Sequence, residues 1–193
     1  MNRKLLIITI LIVICLLSCT KNKRRDDAIK IVREWTGREI RFPENVPCYV
    51  LGKDTLYELC EDCFHKEYKI LLYVDSTGCN DCRLQLSEWK QLKEEIDSLF
   101  PGKVGFLLYF QPKNLRYMGY LYMRDQFDYP IFVDTNDEIN RLNQFSQVME
   151  YQCFLLNSDN KVLVIGNPAL NMHVWELYKS QIAEEKEYET NIK

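Results

Sequence analysis

Apolar positions fall into runs whose periods predict alternating strands and helices. Tyr68 to Val74 is a near-continuous apolar run, the pattern of a central strand covered on both faces. Beyond it, Cys82, Leu86, Trp89, Leu92, Ile96 and Leu99 recur along one helical stripe, and Pro101-Gly102 stops that helix. Val104 to Phe110 reads as a second strand and Asn114 to Phe127 as a helix whose aromatics cover the sheet. Tyr129 to Val133 reads as a third strand and Asn136 to Leu142 as a short helix. Tyr151 to Leu156 and Lys161 to Ile165 flank Asn157-Ser-Asp-Asn160, a hairpin turn signal. Asn171 to Glu185 predicts a closing helix with Val174, Trp175, Tyr178 and Ile182 inward. Ahead of the central strand, Ile29, Val32 and Trp35 have helical spacing, and Phe42-Pro43 ends that segment. Val46 to Leu51 and Thr55 to Leu59 predict a hairpin around Gly52-Lys53-Asp54. The expected class is α/β: a central mixed sheet flanked by helices, with an N-terminal helix and hairpin extension.

The N-terminus has a different pattern. Arg3 and Lys4 precede an apolar run from Leu5 to Leu17, broken only by Thr9. That length suits a signal-peptide core better than a spanning helix. The run ends in Leu16-Leu17-Ser18-Cys19, which resembles the lipobox of bacterial lipoproteins. The resemblance implies a signal peptide over 1–18, a lipidated Cys19 and a polar tether over 19–26. An uncleaved anchor is the alternative. Under either reading the remainder lies outside the cytoplasm, in the cell envelope facing the periplasm, with surface exposure also open. An N-terminal helical extension over 27–44 and one domain over 45–188 complete the expected organisation; the remaining length suffices for one real core.

Charge and cysteine content narrow the chemistry. The net charge of −3 gives no reason to expect nucleic acid. The run Lys21 to Arg25 is a short basic patch suited to anionic lipid heads, offset by Asp26-Asp27. Of eight cysteines, Cys15 falls in the leader and Cys19 at the lipid site, leaving Cys48, Cys60, Cys63, Cys79, Cys82 and Cys153. An exported location permits disulfides. Cys60-Glu-Asp-Cys63 and Cys79-Asn-Asp-Cys82 together have a zinc-ribbon spacing, so metal binding through these four stands as an alternative. The central strand between the pairs argues against it, since zinc knuckles are usually tight hairpin turns. Cys60 and Cys63 read either as a strained, reducible disulfide or as two free thiols. His65 and His173 lack ligand spacing and read as surface or cap residues, and no phosphate loop or nucleophile elbow is present.

Candidate redox chemistry lies after the central strand. A strand, a short turn, Cys79, Cys82 and a helix put Cys79 just ahead of a helix N-terminus, where free N–H groups stabilise a thiolate. Cys82 falls at the top of the buried stripe, while Cys79 can be exposed. This region resembles the active site of the thioredoxin superfamily. The element order over roughly 45–183 is similar to its extracytoplasmic thiol–disulfide oxidoreductase branch. Cys153-Phe-Leu-Leu-Asn-Ser-Asp-Asn-Lys-Val looks like a segment of those proteins, and the chain resembles small thioredoxin-like lipoproteins of Bacteroidetes.

The resemblance implies a thioredoxin-like fold and thiol–disulfide exchange through Cys79 and Cys82. It implies no organic cofactor, protein disulfide or dithiol substrates, and a membrane or periplasmic redox partner. Three positions depart from the family. Its cis-proline position is Tyr151, and its buried acid six residues before the first cysteine is Tyr73. Asp75, the nearest carboxylate, reads as a turn cap. Asp81 puts a negative charge close to the thiolate, opposing its formation. Cys60, Cys63 and Cys153 are secondary redox or structural candidates, with a buried structural thiol the expected role of Cys153. A non-catalytic binding lipoprotein on the same fold is the rival function.

Overall fold

The computed structural model describes residues 25–50, 57–77, 84–113, 123–127 and 129–191, those at 57–60 and 185–191 by their backbone alone. The chain divides into two compact units, Met1–Trp35 and Thr36–Lys193. In the first, residues 25–35 form helix α1, with Ile29 and Val32 of its expected stripe exposed. The helix ends well before Phe42-Pro43. Gly37, at φ +78°, takes up the left-handed conformation that terminates helices.

The second unit is built on β1 (Cys48–Tyr49), α2 (Tyr57–Phe64), β2 (Tyr68–Val74), α3 (Leu86–Leu99), β3 (Val104–Phe110), β4 (Ile131–Val133), α4 (Glu138–Asn143), β5 (Cys153–Leu156), β6 (Val162–Ile165) and α5 (Met172–Asn191). The strands form one mixed sheet in the order β1-β4-β3-β2-β5-β6. β2, β3 and β4 run parallel, while β1, β5 and β6 each run antiparallel to their neighbours. β2 is thus central, as its apolar run predicts. The expected 114–127 helix lies mostly outside the described residues.

The expected hairpin before β2 does not form. Residues 57–64 are helical, and β1 pairs with β4 instead. The physical reason is the ambiguity of short apolar runs. Cys60, Cys63 and Phe64 share helical spacing, with Glu61 and Asp62 between them and Glu58 ahead of them, so the segment is amphipathic as a helix.

Alternation along the strands splits the core in two. Ile70, Leu72, Val74, Phe106, Leu108 and Leu155 belong to a cluster with Trp89, Leu92 and Ile96 of α3 and Trp175, Tyr178 and Ile182 of α5. On the other face Tyr109 stacks on Phe132 at 4.7 Å between ring centroids, and Phe64 of α2 meets Phe132 edge-on at 5.4 Å. Phe145 packs against Tyr73 and Phe154 there. Lys69 departs from the apolar pattern of β2 yet is fully buried, its Nζ donating to Ser158 O at 2.9 Å. Between α1 and β1 the chain runs from one sheet edge to the other. Gly37 N–H donates to Val162 O beside β6, and Val133 N–H of β4 donates to Pro47 O. Buried Asn143 ties this crossing segment down, bonding both the N–H and the carbonyl of Arg41.

Helix α2 reaches the sheet at Gly105 of β3. A Cβ there would collide with the Cys63 carbonyl. Backbone cannot yield as a side-chain tip does, so Gly105→Ala is expected to cost about 1–3 kcal/mol. Denaturant unfolding measures this; an unchanged midpoint would show that α2 does not dock tightly.

Candidate functional site

Cys79 and Cys82 lie in residues 78–83, outside the described residues, as does Cys19. The described residues frame that six-residue link on both sides. It leaves the C-terminal end of β2 after Thr77 and rejoins at Leu84, which is buried. Gln85 is left-handed at φ 43°, and regular α3 begins only at Leu86. The helix expected to run on from Cys82 is therefore interrupted one residue short of Leu86. Leu86, Trp89, Leu92 and Ile96 of the expected stripe are buried, but Leu99 is exposed.

Ahead of the link, Asp75 behaves as the expected turn cap. Its Oδ1 accepts from Thr77 N–H at 2.7 Å and from the Thr77 hydroxyl at 2.5 Å. Its Oδ2 accepts from Gln152 Nε2, which also donates to Ser146 O. Ser76 N–H donates to Gln111 Oε1. Tyr73, where the resembled family has an acid, donates its hydroxyl to Asp137 Oδ1 at 2.6 Å. Burial, reinforced by that bond and by the charges of Asp137, Asp75 and Asp134, pushes the Tyr73 phenol well above its usual range. Tyr73, Asp75, Thr77, Asp137, Ser146 and Gln152 line a polar cleft of about 560 Å³.

Gln152 and Asp137 were not singled out in the sequence. Gln152 had a weak signal, a polar residue opening an apolar strand. Asp137 had none, because 64 residues separate it from Tyr73.

Tyr151 closes a 3-10 turn, Met149–Tyr151, and the described residues contain no cis peptide bond. Its N–H donates to Val148 O at 2.9 Å. The loop is therefore a closed turn rather than an extended edge. Tyr151→Pro would forfeit that bond and disfavour the helical backbone of Glu150. We expect a loss of about 1–3 kcal/mol with no gain in exchange rate. A folded variant that exchanges faster would reverse this account.

The secondary cysteine candidates separate. Cys153 is a fully buried free thiol beside Tyr178, whose hydroxyl lies 3.6 Å from its Sγ. Burial pushes its pKa up to about 12, so the thiol keeps its proton at neutral pH. Cys63 forms no disulfide, so the expected alternative of a Cys60–Cys63 bond is not the one the structure takes. Its pKa is raised by burial, although the Phe106 backbone N–H bonds it. Cys48 is disulfide-bonded.

The four-cysteine zinc reading fits this frame poorly. Cys63 lies against Gly105, level with Lys69 at the start of β2, whereas the link holding Cys79 and Cys82 follows Val74. From Lys69 to Val74 the strand advances roughly 17 Å, while zinc ligands must converge at about 2.3 Å from one ion. Among the described residues no set of three or more histidine, cysteine or acidic side chains could hold a metal. His65 and His173 are exposed, as expected. Also among the described residues, no helix is long and apolar enough to cross a membrane.

No family model and no curated protein matches the sequence. Solved structures do match. A thioredoxin-like protein in the oxidized form, at 14% identity, aligns over 80% of this chain and 98% of its own with a TM-score of 0.51. AhpC from Enterococcus faecalis, at 16% identity, aligns over 78% of this chain and 95% of its own, also with a TM-score of 0.51. With the central β2, the parallel β2–β3–β4 set and the antiparallel β5–β6 hairpin, these matches establish that the chain has the thioredoxin-like fold.

Proposed function

We propose that this protein is a membrane-tethered thiol–disulfide oxidoreductase of the cell envelope. The observation carrying this reading is positional: in a thioredoxin-like fold, the link from the end of β2 to the start of α3 contains a Cys-x-x-Cys pair. Cys79 is the nucleophile. Its thiolate attacks a substrate disulfide, forms a mixed disulfide and expels one substrate thiolate. Cys82 then attacks the Cys79 sulfur and releases the second substrate thiol. Two electrons and two protons pass from the Cys79/Cys82 dithiol to the substrate. Run in reverse, the same steps oxidise a substrate dithiol. A periplasmic or membrane dithiol–disulfide partner resets the pair, and no organic cofactor takes part.

Equilibrating the protein in buffers of graded thiol–disulfide ratio, alkylating it and mapping the cysteines by mass tests the reading. Cys79 and Cys82 should titrate together as one two-electron couple. Two thiols that stay reduced across the series would end it. The rival, a binding lipoprotein, draws support from the closed turn at Tyr151, whose N–H is already committed. A reversible couple without turnover of protein disulfides would favour that rival.

We also propose that lipid on Cys19 anchors the chain. Cys19→Ala should move the protein from the membrane fraction to the soluble fraction, with thermal unfolding of the domain unchanged. Continued membrane fractionation would point to an uncleaved anchor.

A further inference from the structure

A second cavity lies under the crossing segment ahead of β1 and has no part in the proposed exchange. It measures about 280 Å³ and is lined on one side by residues 43–48. Tyr109 of β3 and Phe132 of β4 form its floor, Phe64 of α2 closes a side, and Glu61 stands beside it. It shares no lining residue with the polar cleft at Tyr73. Its roof is fixed at both ends. Asn143 holds the N–H and the carbonyl of Arg41, and Pro47 O accepts from Val133 N–H. Pro43 and Pro47 restrict the backbone of the roof itself. The cavity is thus preformed, and its size sits at the lower end of the roughly 300–1,000 Å³ usual for small-molecule sites.

Tyr109 supplies the polar chemistry. The residue is 1% exposed, and Phe132 and Phe42 pack against its ring. Burial and the charge of Asp134 act on its phenol, and among the described residues no group hydrogen-bonds the hydroxyl. A buried O–H without a partner is costly, and buried polar groups normally have one. Tyr109 lines the cavity, so a ligand there can supply it. The phenol is neutral and offers its proton, so the ligand brings an acceptor. Charge narrows the class. Glu44 and Glu61 are exposed at the mouth, and the described lining contains no lysine or arginine. An anion would meet two carboxylates and no cation. A cation would gain little from carboxylates bathed in water, and an ammonium cannot accept from Tyr109. The aromatic floor and side favour a flat apolar body.

We propose that this cavity binds a small uncharged aromatic molecule carrying one hydrogen-bond acceptor of the carbonyl type. The acceptor takes the Tyr109 hydroxyl, and the ring packs on Phe64 and Phe132. Binding needs neither Cys79 nor Cys82, so this site and the exchange reading stand or fall separately.

Three probes of similar size test it: acetophenone, which has the acceptor; ethylbenzene, which lacks it; and benzoate, which is charged. The full chain in lipid nanodiscs, with 13C-labelled phenylalanine and tyrosine rings, is titrated with each at millimolar concentration. Acetophenone should shift the Phe64, Tyr109 and Phe132 ring signals saturably. Ethylbenzene should bind about 2–12-fold more weakly, the worth of one hydrogen bond, and benzoate should leave the three rings unmoved. In Tyr109→Phe, which removes only the hydroxyl, acetophenone should lose its advantage. Partition into lipid is the same for both proteins and cancels in that comparison. Cys79→Ser/Cys82→Ser should bind all three probes as the wild type does. The proposal is overturned if no probe shifts these rings, if benzoate binds as well as acetophenone, or if acetophenone and ethylbenzene bind equally to the wild type. An advantage that persists in Tyr109→Phe also overturns it. Should that variant fail to fold, the order of the three probes on the wild type decides, together with Overhauser contacts from the acetophenone methyl group to Phe64 and Phe132.

Discussion

Cys79→Ser is expected to reduce protein disulfide reductase activity to the buffer background, while Cys82→Ser accumulates mixed disulfides with its substrates. The asymmetry follows from the two steps. The first sulfur makes the bond to substrate, and serine oxygen is no nucleophile toward a disulfide. The second sulfur is needed only to release product. Insulin reduction measures the first effect; non-reducing gels followed by mass identification of adducts measure the second. Unchanged turnover in Cys79→Ser would remove the enzyme reading altogether, whatever the fold. Adducts on Cys79→Ser but not on Cys82→Ser would exchange the two roles. That outcome has a structural rationale to watch for. α3 begins at Leu86 behind a left-handed Gln85, and a helix dipole acts mainly within its first turn. The support that α3 itself offers a thiolate is therefore weaker at Cys79 than an unbroken helix would give.

The second large effect is steep alkaline unfolding. Tyr73, Tyr109 and Tyr178 are all buried, and burial is the leading reason each phenol is raised above its ordinary value. Burial likewise pushes Cys153 up to about 12. The sign is fixed by which state holds the protons. In the unfolded chain these groups ionise at ordinary values near 10 and 9.0; in the folded protein they stay neutral. Stability is thus complete below the unfolded values and is lost as pH rises toward the folded ones. Each group removes about 1.4 kcal/mol per pH unit across its window. Cys153 alone, from 9.0 to about 12, accounts for about 4 kcal/mol.

Typical domain stabilities are about 5–15 kcal/mol, so unfolding is expected before about pH 12. Lys69 works in the opposite sense. Burial lowers its pKa from 10.5, so its contribution to stability rises with pH between the folded value and 10.5, offsetting part of the early loss. Circular dichroism and tyrosinate absorbance should change together. Tyr109→Phe, which keeps the ring but removes one proton, should make the descent shallower. Full tyrosinate absorbance in a still-folded protein would show that these phenols are not sealed.

Much of this architecture was legible because the sheet's core strands carry their own signals. Tyr68 to Val74 and Val104 to Phe110 are buried throughout, and each is an apolar run bounded by residues that end it. The 157–160 turn with its flanking strands, and the stripe of α5 from Trp175 to Ile182, were equally readable because turn chemistry and helical period act over a few residues. The segment around Cys60 was misread for the complementary reason. Over eight residues, strand and helix patterns overlap, and docking against Gly105 and Phe132 selects the helix.

The sequence by itself determined the alternation that builds a mixed sheet with two buried faces, and the Cys-x-x-Cys spacing of Cys79 and Cys82 just after its central strand. These follow from local periodicity and from spacing three residues apart. Only the tertiary structure decided which distant groups meet. Tyr73 bonds Asp137, Gln152 bonds Asp75, and Lys69 reaches Ser158 across the β2–β5 pair. It also separated the disulfide-bonded Cys48 from Cys63 and Cys153, which form no disulfide. No periodicity encodes such contacts. Strand register and helix docking bring these groups together, and both depend on burying apolar surface over the whole chain at once.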